Sequence, residues 1–293
     1  MFIHQDGTPI RDPIIGMGGS GVVIRQENIA VKLPLICTED ESTRNGWAVE
    51  IIEREKDVYR RLGECDGVVS CLDLSGPGIQ MELMELGNLR EYLQQHRPSK
   101  LLQLSWFKKM AHTLALIHGR RVIVADISSR NLLLATDLSI KFSDFTESSI
   151  LPLDTDMSQA DDSGYSIHTD IGQFGTVMYE VITGTKCQFN LHEDAESRRA
   201  QWPSRERLPA TKSLWLGDII DRCWSEKSFK DTWELSTILA AIDLDQTSPD
   251  KATKVVNPDH TIFRKAVHSF KQYWRCIMSV ATAALIWLRK SFW

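Results

Sequence analysis

Short apolar runs separated by turn-forming residues dominate the first third of the chain. Two such runs begin at Ile14 and end near Leu33, and a glycine-rich turn joins them. Two more occupy residues 68–74 and 79–84, on either side of the sequence Ser-Gly-Pro-Gly. Their length, their β-branched content and the turns beside them predict strands. Between the two pairs, residues 47–62 carry apolar side chains at helical spacing and predict one amphipathic helix.

Helical patterns replace the strands in the second part of the chain. Helical spacing predicts helices over five stretches: residues 89–96, 104–118, 169–184, 214–224 and 232–242. The helix over 169–184 has a threonine or aspartate as its N-cap and Gly184 at its end. Residues 147–163 are polar and predict a surface loop, and a short helix is expected within 188–213.

Residues 122–146, VIVADISSRNLLLATDLSIKFSDFT, interrupt the helical part with short apolar runs. Asp126, Asn131 and Asp144 follow or precede these runs, and residues 135–137 form the predicted turn between the last two. Mg²⁺ takes hard oxygen ligands from one or two carboxylates and from the phosphates of a nucleotide. Each of the three residues taken alone is equally well explained by turn propensity. Together, at this spacing, they predict a phosphoryl-transfer centre.

The glycine-rich turn suggests a contact with phosphate. Gly16, Gly18 and Gly21 follow the pattern G-x-G-x-x-G, and Lys32 stands on the next predicted strand. Glycine lets backbone N–H groups approach phosphate oxygens where a Cβ would intrude. A glycine-rich hairpin alone is more often a simple turn, and the lysine strengthens the functional interpretation. A Rossmann unit is not indicated, because the glycines lead into a strand instead of a helix.

The composition is that of an ordinary globular protein. The 293 residues are 42% hydrophobic and 25% charged, and the net charge of −5 argues against nucleic-acid binding. The six cysteines include no C-x-x-C pair, so we expect free thiols in a reducing compartment and no zinc site. The first residues have neither a basic start nor an apolar core, so no secretory signal is predicted. These features predict an intracellular, cytoplasmic protein.

Residues 262–293 predict a separate basic helix after a polar linker at 246–261. Apolar residues recur every three or four positions, and residues 276–288 are apolar all round. These 13 residues would reach about 20 Å, short of the roughly 30 Å hydrocarbon core of a bilayer. Tryptophans and flanking basic residues favour an anchor at a membrane surface. The continuous apolar stripe fits a helix packed on the rest of the protein equally well.

The order of glycine-rich loop, lysine strand, helix and Asp…Asn…Asp segment resembles a eukaryotic protein kinase over roughly residues 10–245. The resemblance implies an α+β, bilobal fold, with a small β-rich N-lobe over about 10–84 and a larger helical C-lobe over about 85–245. It also implies ATP and Mg²⁺ as cofactors. The residues that would contact or position ATP are Gly16, Met17, Gly18, Gly19, Ser20, Gly21, Val23, Ala30, Lys32, Glu55, Met81, Glu82 and Met84.

Several of these residues have a distinct role in the family. Lys32 would pair with the α- and β-phosphates, and a glutamate of the following helix would pair with Lys32. Glu55 is the preferred glutamate, because the apolar residues after it fall where that helix packs, and Glu50 is the alternative. Met81 takes the gatekeeper position, and residues 82–84 form the hinge whose backbone would bind adenine.

The resemblance also assigns roles to the polar residues of segment 122–146. Asp126 would orient the substrate hydroxyl and accept its proton, and Asn131 and Asp144 would bind Mg²⁺. Asp170 and Gly175, in DIGQFG, match a helix motif that small-molecule kinases generally lack. The motif favours a kinase that acts on proteins.

The sequence departs from the family pattern at its control elements. H-R-D reads V-A-D, with Ala125 in place of the arginine that reads an activation-loop phosphate, so we expect a non-RD kinase without that form of activation. Ser128 replaces the usual lysine, and Arg130 could supply the positive charge at the γ-phosphate instead. D-F-G becomes D-F-T, with Thr146 in place of the glycine, and the shortened segment that follows has no A-P-E.

The resemblance predicts a protein kinase that transfers the γ-phosphoryl group of ATP to a protein hydroxyl, Ser/Thr by default. Its alternative is a pseudokinase that binds nucleotide or serves as a scaffold, because the platform for a peptide substrate is shortened. A small-molecule kinase is the third, weaker interpretation.

Overall fold

The computed structural model describes residues 2–19, 21–37, 42–192 and 199–244. The chain divides into two units, Met1–Asp245 and Gln246–Trp293, and every described residue belongs to the first. Ser20, the predicted linker at 246–261 and the predicted helix at 262–293 lie outside the described residues. Within the described part, no helix is long and apolar enough to cross a membrane.

The described residues form eleven strands and six α-helices. The strands are β1 (Phe2–Ile3), β2 (Ile14–Met17), β3 (Gly21–Gln26), β4 (Ile29–Pro34), β5 (Ile36–Cys37), β6 (Cys71–Asp73), β7 (Ile79–Glu82), β8 (Val122–Ile123), β9 (Leu132–Leu134), β10 (Ile140–Phe142) and β11 (Ser149–Ile150). The helices are α1 (Ser42–Leu62), α2 (Leu89–Gln95), α3 (Lys100–Gly119), α4 (Ile167–Thr183), α5 (Gly217–Cys223) and α6 (Thr232–Ala240). The predicted α+β class, with a strand-rich first lobe and a helical second lobe, is confirmed.

Five strands of the small lobe form an antiparallel sheet in the order β2-β3-β4-β7-β6. Val23 of β3 lies opposite Lys32 of β4, and Ala30 of β4 lies opposite Met81 of β7. Cross-strand partners, and residues two apart on a strand, point to the same face of a sheet. These four side chains therefore share one face, and the other face buries an apolar cluster of Val22, Ile24, Val31 and Leu33.

Helix α1 packs beside β4 and begins earlier than the apolar pattern predicts. It starts at Ser42 instead of residue 47, because residues 42–46 contain no large apolar side chain that would reveal a helical period. Ile52, Tyr59 and Leu62 are buried on its inward face. Because this face packs inward, a glutamate on it points towards the sheet and a glutamate on the opposite face points to solvent.

The predicted strand over residues 68–74 is only three residues long, because its first part pairs elsewhere. Val68 forms a parallel bridge with Phe142, and the Val69 N–H donates to the Phe142 carbonyl at 2.9 Å. The apolar run thus contacts the hairpin β9–β10 before it enters the sheet as β6. It joins the strands of the small lobe to the segment that carries Asp144.

Helices α3 and α4 form the centre of the large-lobe core. Helix α3 begins at Lys100, after Ser99 accepts a hydrogen bond from the Leu102 N–H. The N-cap of α4 is Ser166, which forms a capping box with Thr169, so the predicted threonine or aspartate cap is wrong. Gly184 ends α4 in the left-handed conformation, at φ 70°, as predicted.

The predicted surface loop at 147–163 contains a short strand, so that prediction is wrong in part. Ser149 and Ile150 of β11 pair antiparallel with Ile123 and Val122 of β8. Two residues are too few to show the alternation of a strand. The short helix expected within 188–213 is a single 3₁₀ turn, Arg205–Arg207, and α5 and α6 are both shorter than predicted. The cysteines with described side chains are all free, namely Cys65, Cys71, Cys187 and Cys223.

Candidate active site

Lys32 and Glu55 form a buried ion pair between the sheet and α1. Lys32 Nζ lies 2.6 Å from Glu55 Oε2, and the two side chains are 8% and 0% exposed. Burial lowers the pKa of Lys32, but the charges of Glu55 and Asp144 outweigh this effect and the net pKa is raised. Lys32 is therefore charged at neutral pH. The alternative glutamate, Glu50, is exposed and pairs with Arg54 on the outer face of α1.

Asp144 approaches the same lysine from the large lobe. Its Oδ1 lies 2.7 Å from Lys32 Nζ, and its side chain is 44% exposed. Burial raises the pKa of Asp144, but the Lys32 charge and hydrogen bonds from Lys32 and Thr146 outweigh it, so the net pKa is lowered. The backbone of Asp144 is left-handed, at φ 60°. The carboxylate is thus ionised at neutral pH and accessible to solvent. The backbone that carries it has a conformation that is uncommon for a residue other than glycine.

Phe145 fixes the position of Asp144 by packing beneath α1. The side chain is fully buried, and its ring meets Tyr59 edge to face with centroids 5.4 Å apart. The Phe145 N–H donates to Glu55 Oε1 at 3.0 Å. Glu55 therefore accepts hydrogen bonds from both lobes, through Lys32 and through the backbone next to Asp144.

The hydroxyl of Thr146 joins the three charged groups into one cluster. Thr146 Oγ1 accepts from Lys32 Nζ at 3.0 Å and donates to Asp144 Oδ1 at 2.6 Å. It also lies 3.2 Å from Glu55 Oε2. A hydroxyl has one hydrogen to donate, and the shorter distance favours Asp144. This contact was missed in the sequence, where Thr146 stands out only as a departure from D-F-G.

Asp126, Asn131 and Arg130 meet in the loop between β8 and β9. Asn131 Nδ2 donates to the Asp126 carbonyl and to Asp126 Oδ2, both at 3.0 Å. Arg130 Nη2 lies 2.7 Å from the same Oδ2. Two donors, Arg130 and Asn131, therefore hold the same carboxylate oxygen of Asp126.

The loop around Asp126 is anchored on α4. The buried carboxylate of Asp170 accepts from the N–H groups of Val124 and Ala125, each at 2.8 Å. Asp170 Oδ2 also lies 2.8 Å from Nε2 of His118, whose other ring nitrogen is 2.6 Å from the Thr232 hydroxyl. His118 was missed in the sequence because its partners come from distant helices.

The residues at Asp144 fit a magnesium ion bound together with nucleotide phosphates. The side-chain nitrogen of Asn131 donates to Asp126. The side-chain oxygen Oδ1 of Asn131 is therefore the atom that can bind a metal. The Ser143 N–H donates to the Asn131 backbone carbonyl at 2.9 Å, so Asn131 and Asp144 are neighbours. Among the described residues, no group of three or more His, Cys, Asp or Glu side chains could hold a metal alone. One carboxylate plus phosphate oxygens is a donor set that suits Mg²⁺.

Only some of the predicted nucleotide residues line the face of the sheet that carries Lys32. The Gly18 N–H donates to the Gly21 carbonyl at 2.8 Å and closes the glycine-rich turn. A Cβ on Gly21 would lie 3.1 Å from Cε of Lys32, so a larger residue there would crowd the lysine. Gly16 lies opposite Val23 and belongs to this face. Met17 lies opposite Val22, and its side chain packs against the apolar cluster on the other face, away from Lys32. Gly19 has open space around it. Val23, Ala30 and Met81 line the face that carries Lys32.

The gatekeeper Met81 and the hinge residues Glu82 and Met84 have different surroundings. Met81 is buried, and its sulfur accepts a hydrogen bond from the Tyr59 hydroxyl at 3.3 Å. Glu82 Oε1 accepts from Lys141 Nζ and from the Ser70 N–H, both at 2.6 Å. The Glu82 side chain is thus bound to protein, and its N–H donates to the Ser70 carbonyl at 3.0 Å. Met84 is buried where the chain enters the large lobe.

Comparison with known proteins agrees with this geometry. The profile of the family described as protein tyrosine and serine/threonine kinase matches residues 25–238. Similar proteins include the serine/threonine/tyrosine-protein kinase HT1 of Arabidopsis thaliana, 27% identical over 75% of this chain and 61% of that protein. Wall-associated receptor kinase 3 of Arabidopsis thaliana is 26% identical over 78% of this chain and 33% of its own length.

The tyrosine-protein kinase JAK3 of Rattus norvegicus is 28% identical over 56% of this chain and 17% of that protein. The chain thus spans less than two thirds of the length of these relatives. The family match covers most of the described residues and every charged group of the Lys32–Asp144 cluster. The chain belongs to the protein tyrosine and serine/threonine kinase family.

Proposed function

We propose that this chain transfers the γ-phosphoryl group of ATP to a hydroxyl of a protein substrate, with Ser/Thr as the default acceptor. The supporting observation is the contact of Lys32 with both Glu55 and Asp144, at 2.6 and 2.7 Å. A charged lysine held beside an ionised, solvent-accessible carboxylate can bind phosphate oxygens and a metal in adjacent positions. We also propose that residues 10–245 form the kinase domain and that residues 246–261 form a linker.

In this proposal, Lys32 orients the α- and β-phosphates, and the glycine-rich turn covers them with backbone N–H groups. Asp144 and the side-chain carbonyl oxygen of Asn131 would hold Mg²⁺, which when bound would neutralise charge on the phosphates. The backbone of residues 82–84 binds adenine.

Asp126 acts on the substrate hydroxyl. Arg130 and Asn131 both contact its Oδ2, so Oδ1 is the oxygen that would accept the proton. Arg130 also brings positive charge to the place where the transferred phosphoryl group carries negative charge. Arg130 at this position, four residues after the aspartate, compensates for Ser128 in place of lysine.

A pseudokinase is the second candidate, supported by the short segment after Thr146 and its missing A-P-E. A thermal-shift assay with Mg·ATP and a labelled-phosphate transfer assay on generic Ser/Thr and Tyr substrates distinguish the two. Stabilisation together with transfer supports the kinase, and stabilisation without transfer supports a nucleotide-binding scaffold. The absence of both contradicts every nucleotide-dependent role. Transfer to a metabolite but to no protein would support a small-molecule kinase, which the DIGQFG motif disfavours.

Variants of three aspartates test the assigned roles. Asp126→Ala should abolish transfer and leave ATP binding unchanged, whereas Asp144→Ala should weaken the metal-dependent binding itself. Asp137→Ala is the matched control, because Asp137 lies in the β9–β10 turn, where it accepts from the Ser139 N–H at 2.8 Å. Full activity of Asp126→Ala would contradict the role given to Asp126.

For residues 262–293 we propose contact with a membrane surface, supported by their tryptophans and six basic residues. Co-sedimentation with anionic lipid vesicles tests the proposal with the full chain and with a chain ending at residue 261. Vesicle binding that is lost on truncation supports the anchor. Equal sedimentation of both chains, together with a lower melting temperature after truncation, supports packing on the rest of the protein instead.

A further inference from the structure

We propose that Gln173 is a positioning residue that sets the orientation of Asp126, a role that rests on the proposed phosphoryl transfer. Gln173 lies on α4, and its side-chain amide contacts the loop on both sides of Asp126. The Ile127 N–H donates to Gln173 Oε1 at 2.9 Å. Gln173 Nε2 donates to the Ala125 carbonyl at 2.7 Å.

These two hydrogen bonds hold both peptide units of Asp126. The Ala125 carbonyl belongs to the peptide plane before Asp126, and the Ile127 N–H belongs to the plane after it. Peptide groups are planar, so the two planes together fix the direction of the Cα–Cβ bond between them. Gln173 therefore sets the direction in which the Asp126 side chain leaves the backbone, and Asn131 and Arg130 then hold its carboxylate.

The backbone before Asp126 requires such support. Ala125 has φ 65°, a left-handed conformation that is unfavourable for a residue with a Cβ and persists only when its surroundings hold it. Asp170 binds the Ala125 N–H at 2.8 Å, and Gln173 binds the Ala125 carbonyl. Residues three apart on a helix share a face. Two side chains of helix α4, Asp170 and Gln173, thus bind the N–H and the carbonyl of Ala125.

The chemistry of the contact requires an amide. The side chain must accept from Ile127 and donate to Ala125 at once, and a glutamine amide offers both a carbonyl oxygen and N–H donors. An ionised glutamate only accepts, so it would repel the Ala125 carbonyl. A methionine has nearly the same shape and makes neither hydrogen bond.

The experiment compares Gln173→Met with Gln103→Met in the full-length chain. Gln103 is a matched control, because its amide donates to the Pro98 carbonyl at 2.9 Å and accepts from Trp215 at 2.8 Å, away from the loop. We expect Gln173→Met to lower kcat about 10²-fold, the effect of misplacing a reacting group by about 1 Å. The KM for ATP should stay unchanged. Gln103→Met should keep the kcat of the wild type.

Gln173→Glu gives a second, pH-dependent measurement. A protonated carboxyl has an O–H donor and a carbonyl acceptor, so it can restore both contacts. The kcat of Gln173→Glu relative to wild type at the same pH should therefore rise as the pH falls. A purely structural role would leave this ratio constant. The variant also keeps the test valid if Gln173→Met fails to fold.

Two outcomes overturn the inference, and they differ from failure of the proposed function. Equal kcat for Gln173→Met and Gln103→Met would show that the amide contacts do not position Asp126. A ratio for Gln173→Glu that is independent of pH would show the same. If the wild-type chain itself transfers no phosphate, the proposed function fails first, and the role of Gln173 fails with it.

Discussion

Lys32 and Asp144 form a 2.7 Å ion pair although 112 positions separate them in the sequence. Lys32 belongs to the small-lobe sheet, and Asp144 follows a strand of the large lobe. The pair therefore aligns the two halves of the site. Glu55 holds the lysine from the other side and accepts from the backbone after Asp144, so the position of α1 is part of the same arrangement.

Substitution of Glu55 should destabilise the protein more than substitution of Glu50, because the ion pair of Glu55 is buried and that of Glu50 is exposed. Glu55→Gln should lower the free energy of unfolding by about 3 kcal/mol, because it leaves Lys32 buried without its closest partner. It should also reduce phosphoryl transfer. Glu50→Gln is the control, and it should change stability by less than about 1 kcal/mol, as for exposed ion pairs. Urea unfolding and transfer kinetics measure both, and equal effects of the two variants would contradict the assignment.

The Thr146 hydroxyl should stabilise the charged cluster. Thr146→Val keeps the shape and removes the hydroxyl, so Asp144 and Lys32 each lose a hydrogen bond. Bonds to charged groups contribute about 1.5–3 kcal/mol, and we expect the low end because Thr146 is half-buried. Thr146→Ser should retain the stability and the activity of the wild type. If Val and Ser behave alike in urea unfolding and in transfer assays, the hydroxyl has no such role.

The lowered pKa of Asp144 predicts the sign of a pH effect. A carboxylate with a lowered pKa stabilises the fold above its unfolded pKa, about 3.9. This contribution is lost as the pH falls through the folded pKa. The stability difference between wild type and Asp144→Asn should therefore shrink from about pH 5 to about pH 2. The difference is expected to be small, since Asp144 is 44% exposed and solvent screens its charge. A difference that stays constant in urea titrations would contradict this account.

The site residues that could be predicted from the sequence are those with a characteristic spacing along the chain. Lys32 falls on a strand after the glycines, and Asp126, Asn131 and Asp144 punctuate three short apolar runs. The choice between Glu55 and Glu50 depended on which face of α1 is apolar. That face buries Ile52 and Tyr59, and Glu55 lies with them.

The contacts that the sequence did not reveal all depend on tertiary structure. Gln173 meets Ala125 across 48 positions, and His118 meets Asp170 across 52. Neither residue type is unusual on a helix, so nothing in the local pattern marks them. The pairing of β11 with β8 was missed for a related reason, because each strand is two residues long and its order comes from its partner.

Arginine side chains hold the segment after Asp144 by its backbone carbonyls. Arg61, at the end of α1, donates to the Leu151 carbonyl at 2.8 Å and to the Arg120 carbonyl at 3.3 Å. Arg121 donates to the Thr155 carbonyl at 3.0 Å. These contacts need no phosphate, and Ala125 stands where the family would place the arginine that reads one.

Activity should therefore be independent of phosphorylation of this segment, and phosphatase treatment should leave the transfer rate unchanged.

Arg61→Met should loosen residues 147–163, because the Leu151 carbonyl loses its charged donor. We expect faster amide hydrogen exchange there and a lower transfer rate. Arg60→Met is the control, since Arg60 lies next to Arg61 but pairs with Asp57 on the exposed face of α1. Loss of activity on phosphatase treatment, or equal exchange in the two variants, would contradict a segment held by Arg61.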